Sequence, residues 1–275
     1  RRRGFEVIVR DIVAEREAQA EALGATRAAS AGEVADRVDV LITLVVDATQ
    51  TRDVLFEAGG VFGAAGKPVV MMCSTIAPGD TETFAAHLGR GDIAMVDAPL
   101  SGGPARAHAG TLSMMAAGSE GAFVRAQPVI DAMSAKCFRI GNKPGDGSRM
   151  KVVNNMLAAA NLAAGCEALA LAAKWGLDLR QAMDVINASS GASWILADRM
   201  ARAMEGDYAP RAAARVLRKD VTLFIDAAQA LGVDAGMARA AQQAFADAVA
   251  RGLGEEDDAA LLKRYAALAG VELPA

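Results

Sequence analysis

The chain of 275 residues is 53% hydrophobic, enough for one large or two ordinary domains with cores of their own. Its 29 basic and 33 acidic residues leave a net charge of -4, and beyond Arg1 to Arg3 no basic run supplies the phosphate-neutralising surface that nucleic-acid binding requires. Three cysteines (Cys73, Cys137, Cys166) and two histidines (His87, His108) fit no disulfide framework, CxxC site, metal site or serine-type triad, and point to buried thiols in a reducing cytoplasm.

The opening "RRRGFEVIVRD" reads as a helix C-terminus with Gly4 after its cap, leading into a strand at residues 6–9. A helix end with no helix before it predicts that the natural start lies outside this sequence. In a dinucleotide-binding fold that start would be the first strand, the G-x-G-x-x-G loop and most of the first helix. Asp11 then ends the second strand, where a carboxylate accepts hydrogen bonds from a ribose diol and repels a 2′-phosphate, favouring NAD over NADP. Arg10 beside it is a residue type that accommodates that phosphate, so NADP stays as the alternative. A plain helix-capping role for Asp11 is equally open. A helical stretch follows at 14–24, then a β-branched run at 38–46. "GGVFGAAGKPVV" has glycines that precede a strand instead of following one, the wrong context for a phosphate loop. Strand patterns at 67–74 and 93–99 flank a helical one at 79–89, and candidate strands at 111–117 and 136–141 flank another at 120–133. The alternation predicts an α/β fold, a parallel sheet covered by helices.

"DAPLSGGPARAHAGTL", residues 97–112, follows a strand and so lies at the carboxyl edge of the sheet, where open α/β folds bind ligands. Ser101 offers a hydroxyl there, and Gly102 and Gly103 let backbone amides approach a carboxylate, with an ordinary turn as the plainer reading. "PGDGSRMKVVNNMLAAA", residues 144–160, runs from a glycine-rich turn into an apolar helix that carries Lys151 and Asn155 one turn apart. With Ser148 as N-cap, Lys151 falls in the first turn, where the helix dipole and burial both favour a neutral amine suited to general-base work. A lysine snorkelling from a helix end is the competing reading. The stretch from Met156 to Ala173 has the length of a membrane span, but it contains Asn161 and Glu167 and is mostly alanine, which predicts a buried helix and no membrane. A helix from Ser148 to Trp175 would be about 40 Å long, enough to bridge two domains. Only helical patterns follow, so the expected domains are 1–147, binding NAD and N-terminally incomplete, and 148–275, all helical.

"MMCSTIAP", "DAPLSGGPARAHAGTL", "GDGSRMKVVNNML" and "RKDVTLFIDAA" occur in the order and spacing of the β-hydroxyacid dehydrogenases, the family of 3-hydroxyisobutyrate dehydrogenase and tartronate semialdehyde reductase, which the chain resembles over nearly its whole length. "LVVDATQTRDVLF", "SSGASWILADRM" and "GDYAPRAAARVLRKD" look most like its L-threonate dehydrogenase branch. The resemblance implies a Rossmann-type domain joined by a long helix to an all-α domain, and an NAD-dependent oxidoreductase acting on the CH–OH group of a small hydroxy acid. A four-carbon sugar acid is the expected substrate, with 3-hydroxyisobutyrate or tartronate semialdehyde as alternatives. It implies Lys151 as the catalytic lysine, Asn155 as its neighbour, and Ser101, Gly102 and Gly103 as holders of the substrate carboxylate. Val45, Val46, Thr75 and Lys219 fall where the family contacts the cofactor, Val45 and Val46 standing in place of the common Leu-Pro. Asp220, next to Lys219, is a candidate for orienting the site. No metal is implied, and a homodimer or homotetramer is. A chain that truly began at Arg1 would instead be a non-enzymatic remnant.

Overall fold

Runs of valine, isoleucine and methionine too short for helices set the strands. In the computed structural model, which describes residues 1–273, β1 (Ile8–Val9) pairs in parallel with β2 (Thr26–Arg27) across α1 (Ala14–Ala22). α2 (Ala31–Ala35) leads into β3 (Val40–Thr43), and α3 (Ala48–Phe56) with a 3₁₀ turn at Val61–Gly63 leads into β4 (Val69–Met72). α4 (Pro78–Gly89) then carries the chain to β5 (Met95–Asp97). β3, β4 and β5 lie side by side in parallel. β4 is buried on both faces: Val70 and Met72 pack with Leu41, Leu55 and Leu88, while Val69 and Met71 pack with Val96, Phe123 and Ile130. That double burial is why its sequence is a continuous apolar run without alternation.

After β5 the sheet departs from the parallel expectation. β6 (Leu100–Ser101) and α5 (Gly103–Ala109) lead to β7 (Leu112–Ala117), which pairs antiparallel with both β5 and β6. A parallel return needs a crossover of roughly a dozen residues or more. α5 has seven, too few to carry the chain back along the strand, so β7 starts from the edge at which β5 ended. The 14-residue α6 (Glu120–Met133) does make such a crossover, and β8 (Ser134–Gly141) runs parallel to β7. The pair β1–β2 forms a small sheet of its own, with Ile8 packed against the core under β3 and β4.

α7 (Asp146–Lys174) is the long helix, and it begins two residues before Ser148. The expected capping role of Ser148 is corrected by the carboxylate of Asp97, which closes the helix start from outside. Its Oδ2 accepts hydrogen bonds from Gly145 N and Ser148 N, each at 2.8 Å, and its Oδ1 accepts from Ser148 Oγ at 2.8 Å. Ser148 Oγ also meets Thr81 Oγ1 at 2.9 Å. Ser148 is thus a donor to a neighbouring strand and not the acceptor a cap would be. Burial pushes the Asp97 carboxyl up from its usual range, while the Ser148, Gly145 and Gly147 donors pull it back. Gly147 is required here, because a Cβ would stand 2.5 Å from the Met115 carbonyl and 2.8 Å from that of Asp97.

The chain packs as two compact units, residues 1–151 and residues 152–275. The second is all helical: the rest of α7, α8 (Leu179–Asn187), α9 (Trp194–Ala203), α10 (Ala214–Ala230), α11 (Gly236–Ala248) and α12 (Leu261–Ala269). α7 is apolar enough to cross a membrane by length and composition. Its Leu162, Cys166 and Leu169 instead lie in the core of the helical unit with Leu196, Met200, Val221 and Phe245. Gly165 brings α7 and α9 together, since a Cβ there would lie 2.4 Å from Leu196 Cδ1.

Replacing Asp97→Ala strips the acceptor from three donors at the start of α7. With a lost cap and buried donors left unsatisfied, stability should fall by about 2–4 kcal/mol. Urea unfolding followed by circular dichroism checks this, and a loss under about 1 kcal/mol would show that the cap is dispensable.

Candidate active site

The first turn of α7 places Lys151 against the end of the sheet. Its ammonium group is almost wholly buried, and Nζ donates to the Leu100 carbonyl at 2.6 Å. Leu100 belongs to β6, so the amine is held at the residue that precedes Ser101. After Ser101 the backbone turns through Gly102 (φ 132°) and Gly103 (φ 67°), both in the left-handed region that favours glycine. A Cβ on Gly102 would stand 2.6 Å from Cδ of Arg106, whose side chain therefore lies over the turn. The sequence reading passed over Arg106, and its one signal was a place in the "DAPLSGGPARAHAG" segment. Within the first unit, the structure thus brings Lys151 to the backbone that carries Ser101, Gly102 and Gly103.

Asn155 stands one turn beyond Lys151 on the same helix. Its Nδ2 donates to Asp220 Oδ2 at 2.7 Å, and its Oδ1 accepts from Asn154 Nδ2 at 3.1 Å. Asp220 Oδ1 pairs with Lys219 Nζ at 2.8 Å. Buried Asp220 therefore ties Asn155 to Lys219 inside the helical unit, two residues that lie 64 positions apart in sequence but are joined by one carboxylate. One carboxylate thus pairs with Lys219 and fixes the orientation of the Asn155 amide.

The remaining candidates lie at the carboxyl ends of strands. Asp11, just past β1, accepts through Oδ1 from Val13 N at 2.8 Å, a turn that feeds the chain into α1. This local bond engages one carboxylate oxygen of two. Past β3, Val45 N donates to Ser74 Oγ at 2.9 Å and Val46 N to Gln50 Oε1 at 3.0 Å. Both valine amides are thus used within the protein, leaving their carbonyls and apolar side chains to meet a ligand. Ser74 precedes Thr75, so the same bond ties the loop after β3 to the loop after β4. A carboxylate past one strand and half-buried apolar residues past the next fit the ribose and the flat rings of a dinucleotide. Burial pushes the Cys73 thiol up to about 12, which removes it as a nucleophile. Among the described residues, no group of three His, Cys, Asp or Glu side chains is placed to hold a metal ion.

Comparison with known proteins shows the family of the chain. Residues 1–141 match the family model described as the NAD binding domain of 6-phosphogluconate dehydrogenase. Residues 145–265 match the one described as NAD-binding of NADP-dependent 3-hydroxyisobutyrate dehydrogenase. The chain is 40% identical over 247 residues to L-threonate dehydrogenase of Escherichia coli (strain K12), covering 89% of this chain and 80% of that protein. It is 38% identical over 275 residues to L-threonate dehydrogenase of Cupriavidus necator, covering 99% and 91%. The crystal structure of 3-hydroxyisobutyrate dehydrogenase from Salmonella typhimurium superposes with a TM-score of 0.89 at 40% identity, over 96% of this chain and 92% of that one. Two family models that together span most of the chain, and relatives matched over most of their length, establish that it belongs to the β-hydroxyacid dehydrogenases, NAD(P)-dependent oxidoreductases built as a dinucleotide-binding domain followed by a helical one.

Proposed function

We propose that this protein oxidises the secondary alcohol of a four-carbon sugar acid of the L-threonate type, with NAD as its cofactor. The observation that carries the reading is the buried Lys151 amine, held by the Leu100 carbonyl beside the Ser101-Gly102-Gly103 turn. The relatives named L-threonate dehydrogenase, matched at 38–40% identity, support the substrate class. Ser101 and the amides of Gly102 and Gly103 receive the substrate carboxylate. The alcohol oxygen then meets Lys151 Nζ, which takes the hydroxyl proton as the C–H bond gives up its hydride. The cofactor's nicotinamide supplies the hydride acceptor. The Leu100 carbonyl holds Nζ in place by accepting one of its hydrogens, so the amine meets the alcohol from a fixed position. Asn155, locked by Asp220, offers an amide to the substrate, while Asp11, Val45, Val46, Thr75 and Lys219 are assigned to the cofactor. On this reading residues 1–147 are the cofactor-binding domain and residues 148–275 the helical substrate and oligomerisation domain, in a protein of the cytoplasm.

A panel of small hydroxy acids assayed with NAD and with NADP tests the assignment. L-Threonate with NAD should give the highest kcat/KM. Equal or better efficiency with 3-hydroxyisobutyrate would move the substrate class, and equal or better efficiency with NADP would remove the role given to Asp11.

Lys151→Ala should lower turnover by roughly 10²- to 10⁴-fold, the usual worth of a positioned acid or base. Lys151→Arg should rescue little, because a guanidinium stays charged and cannot take the proton. The oxidation rate of the unaltered enzyme should rise with pH as the amine becomes neutral, and that limb should vanish in the alanine variant. A folded Lys151→Ala enzyme that keeps more than about a tenth of normal turnover would rule out the general-base role.

The outer face of α7 supports a homo-oligomer. Met150, Val153, Leu157 and Leu171 are exposed along it, with Asn161, Ala164 and Ala168 between them, at the three- and four-residue steps of a helix-pairing seam. Light scattering at micromolar concentration should give the mass of a dimer or tetramer. A monomer would overturn this, and Leu157→Glu should weaken the assembly without lowering the helical content seen by circular dichroism.

A further inference from the structure

Two arginines with no role in the proposed chemistry stand beside Asp11. Arg10 follows β1, Arg27 lies in β2, and these strands pair in register, with Val9 opposite Arg27. Between them Glu17, on α1, is almost wholly buried. Its Oε1 accepts from Arg10 Nη1 at 2.8 Å and from the Asp11 backbone N–H at 3.0 Å, and its Oε2 pairs with Arg27 Nη2 at 2.6 Å. Arg10 also donates to the Asp11 carbonyl, and Arg27 to the Ala14 carbonyl at 3.5 Å. One carboxylate therefore holds two guanidinium groups and the backbone of the residue assigned to the ribose. The hydrogen bonds from Asp11 N and Arg10 lower the Glu17 carboxyl below its usual range, so it is charged at neutral pH.

A guanidinium fork next to the ribose position is the ordinary device for taking a 2′-phosphate. Here each arginine turns one guanidinium nitrogen onto Glu17, Nη1 of Arg10 onto Oε1 and Nη2 of Arg27 onto Oε2. The group of Arg10, Arg27, Glu17 and Asp11 is neutral in sum, two positive charges against two negative, so it offers an arriving phosphate dianion no net attraction. We propose that Glu17 is a positioning residue for cofactor selectivity: by holding Arg10 and Arg27 it denies them to a 2′-phosphate and reserves the adenosine end of the site for a free ribose diol. The proposal rests on reading Asp11 as the ribose acceptor.

Calorimetric titration of the protein with 5′-AMP and with adenosine 2′,5′-bisphosphate tests it without turnover. The unaltered protein should bind 5′-AMP at least about tenfold more tightly, since the 2′-phosphate meets Asp11 and finds no released arginine. Glu17→Gln leaves the cluster with one net positive charge and two released forks. It should shift the affinity ratio at least about tenfold toward the bisphosphate, with the gain shrinking as salt is raised. Loss of packing alone would weaken both probes together and leave the ratio unmoved. An unmoved ratio with 5′-AMP still bound overturns the proposal and spares the reading of Asp11, whereas failure of the unaltered protein to bind 5′-AMP overturns both. Should Glu17→Gln not fold, the unaltered protein still decides: bisphosphate bound as tightly as 5′-AMP would show that the arginines are not withheld.

Discussion

The joint between Asp97 and the start of α7 is the constraint on which the rest of the first unit depends. A helix begins with backbone N–H groups that no residue of its own can satisfy. Here that deficit is met by a carboxylate from the end of a buried strand, so the helix start and the end of β5 are fixed relative to each other. The joint admits no side chain at Gly147, where the backbone of α7 lies against the carbonyls of Met115 and Asp97. One turn further on, the bond from Lys151 to the Leu100 carbonyl repeats the attachment three residues down the same strand segment. Two anchors one helical turn apart leave the lysine little freedom to rotate or slide. On the proposed reading of Lys151 as the proton acceptor, that is the precision the reaction needs, because small misplacements at a reacting centre cost rate steeply.

The shortness of α5 has a consequence for chemistry as well as for topology. Because seven residues cannot return the chain to the opposite edge, the Ser101-Gly102-Gly103 turn and the start of β7 stay at the end of the sheet where β5 finishes. The same edge receives the start of α7. A glycine turn and a basic side chain are thus brought together by one short connection and one capped helix, with no long loop to order. The positive φ values at Gly102 and Gly103 are the local condition for this reversal, and the Arg106 side chain closes over it.

Much of the first unit was legible from residue pattern. The strands at β1, β3, β4 and β5 fall inside the β-branched runs, and α4 and α6 fall on the stretches read as helical. β2 was missed because two exposed residues carry no periodicity, and the reversal of β7 was missed because strand direction depends on the length of the connection, which the alternation of patterns does not report. The role of Asp97 was hidden for a similar reason. A carboxylate that caps a helix 48 residues away leaves no local signature, and the nearer Ser148 offered a plausible cap that the structure uses as a donor instead. Asp220 was noticed only as the neighbour of Lys219, since its bond to Asn155 joins two helices. Lys151 itself was conspicuous, being a charge in an apolar helix start, and the motifs around it carried the family.

The charge pattern around Lys151 now has a physical account. The positive end of the α7 dipole disfavours an ammonium group in the first turn, and burial disfavours it further. Asp97 meets that positive end from outside, its carboxylate accepting from Gly145 N and Ser148 N. The same logic of opposed charges recurs at the other end of the first unit, where Glu17 holds two arginines beside Asp11. In both places a buried carboxylate fixes the groups around it.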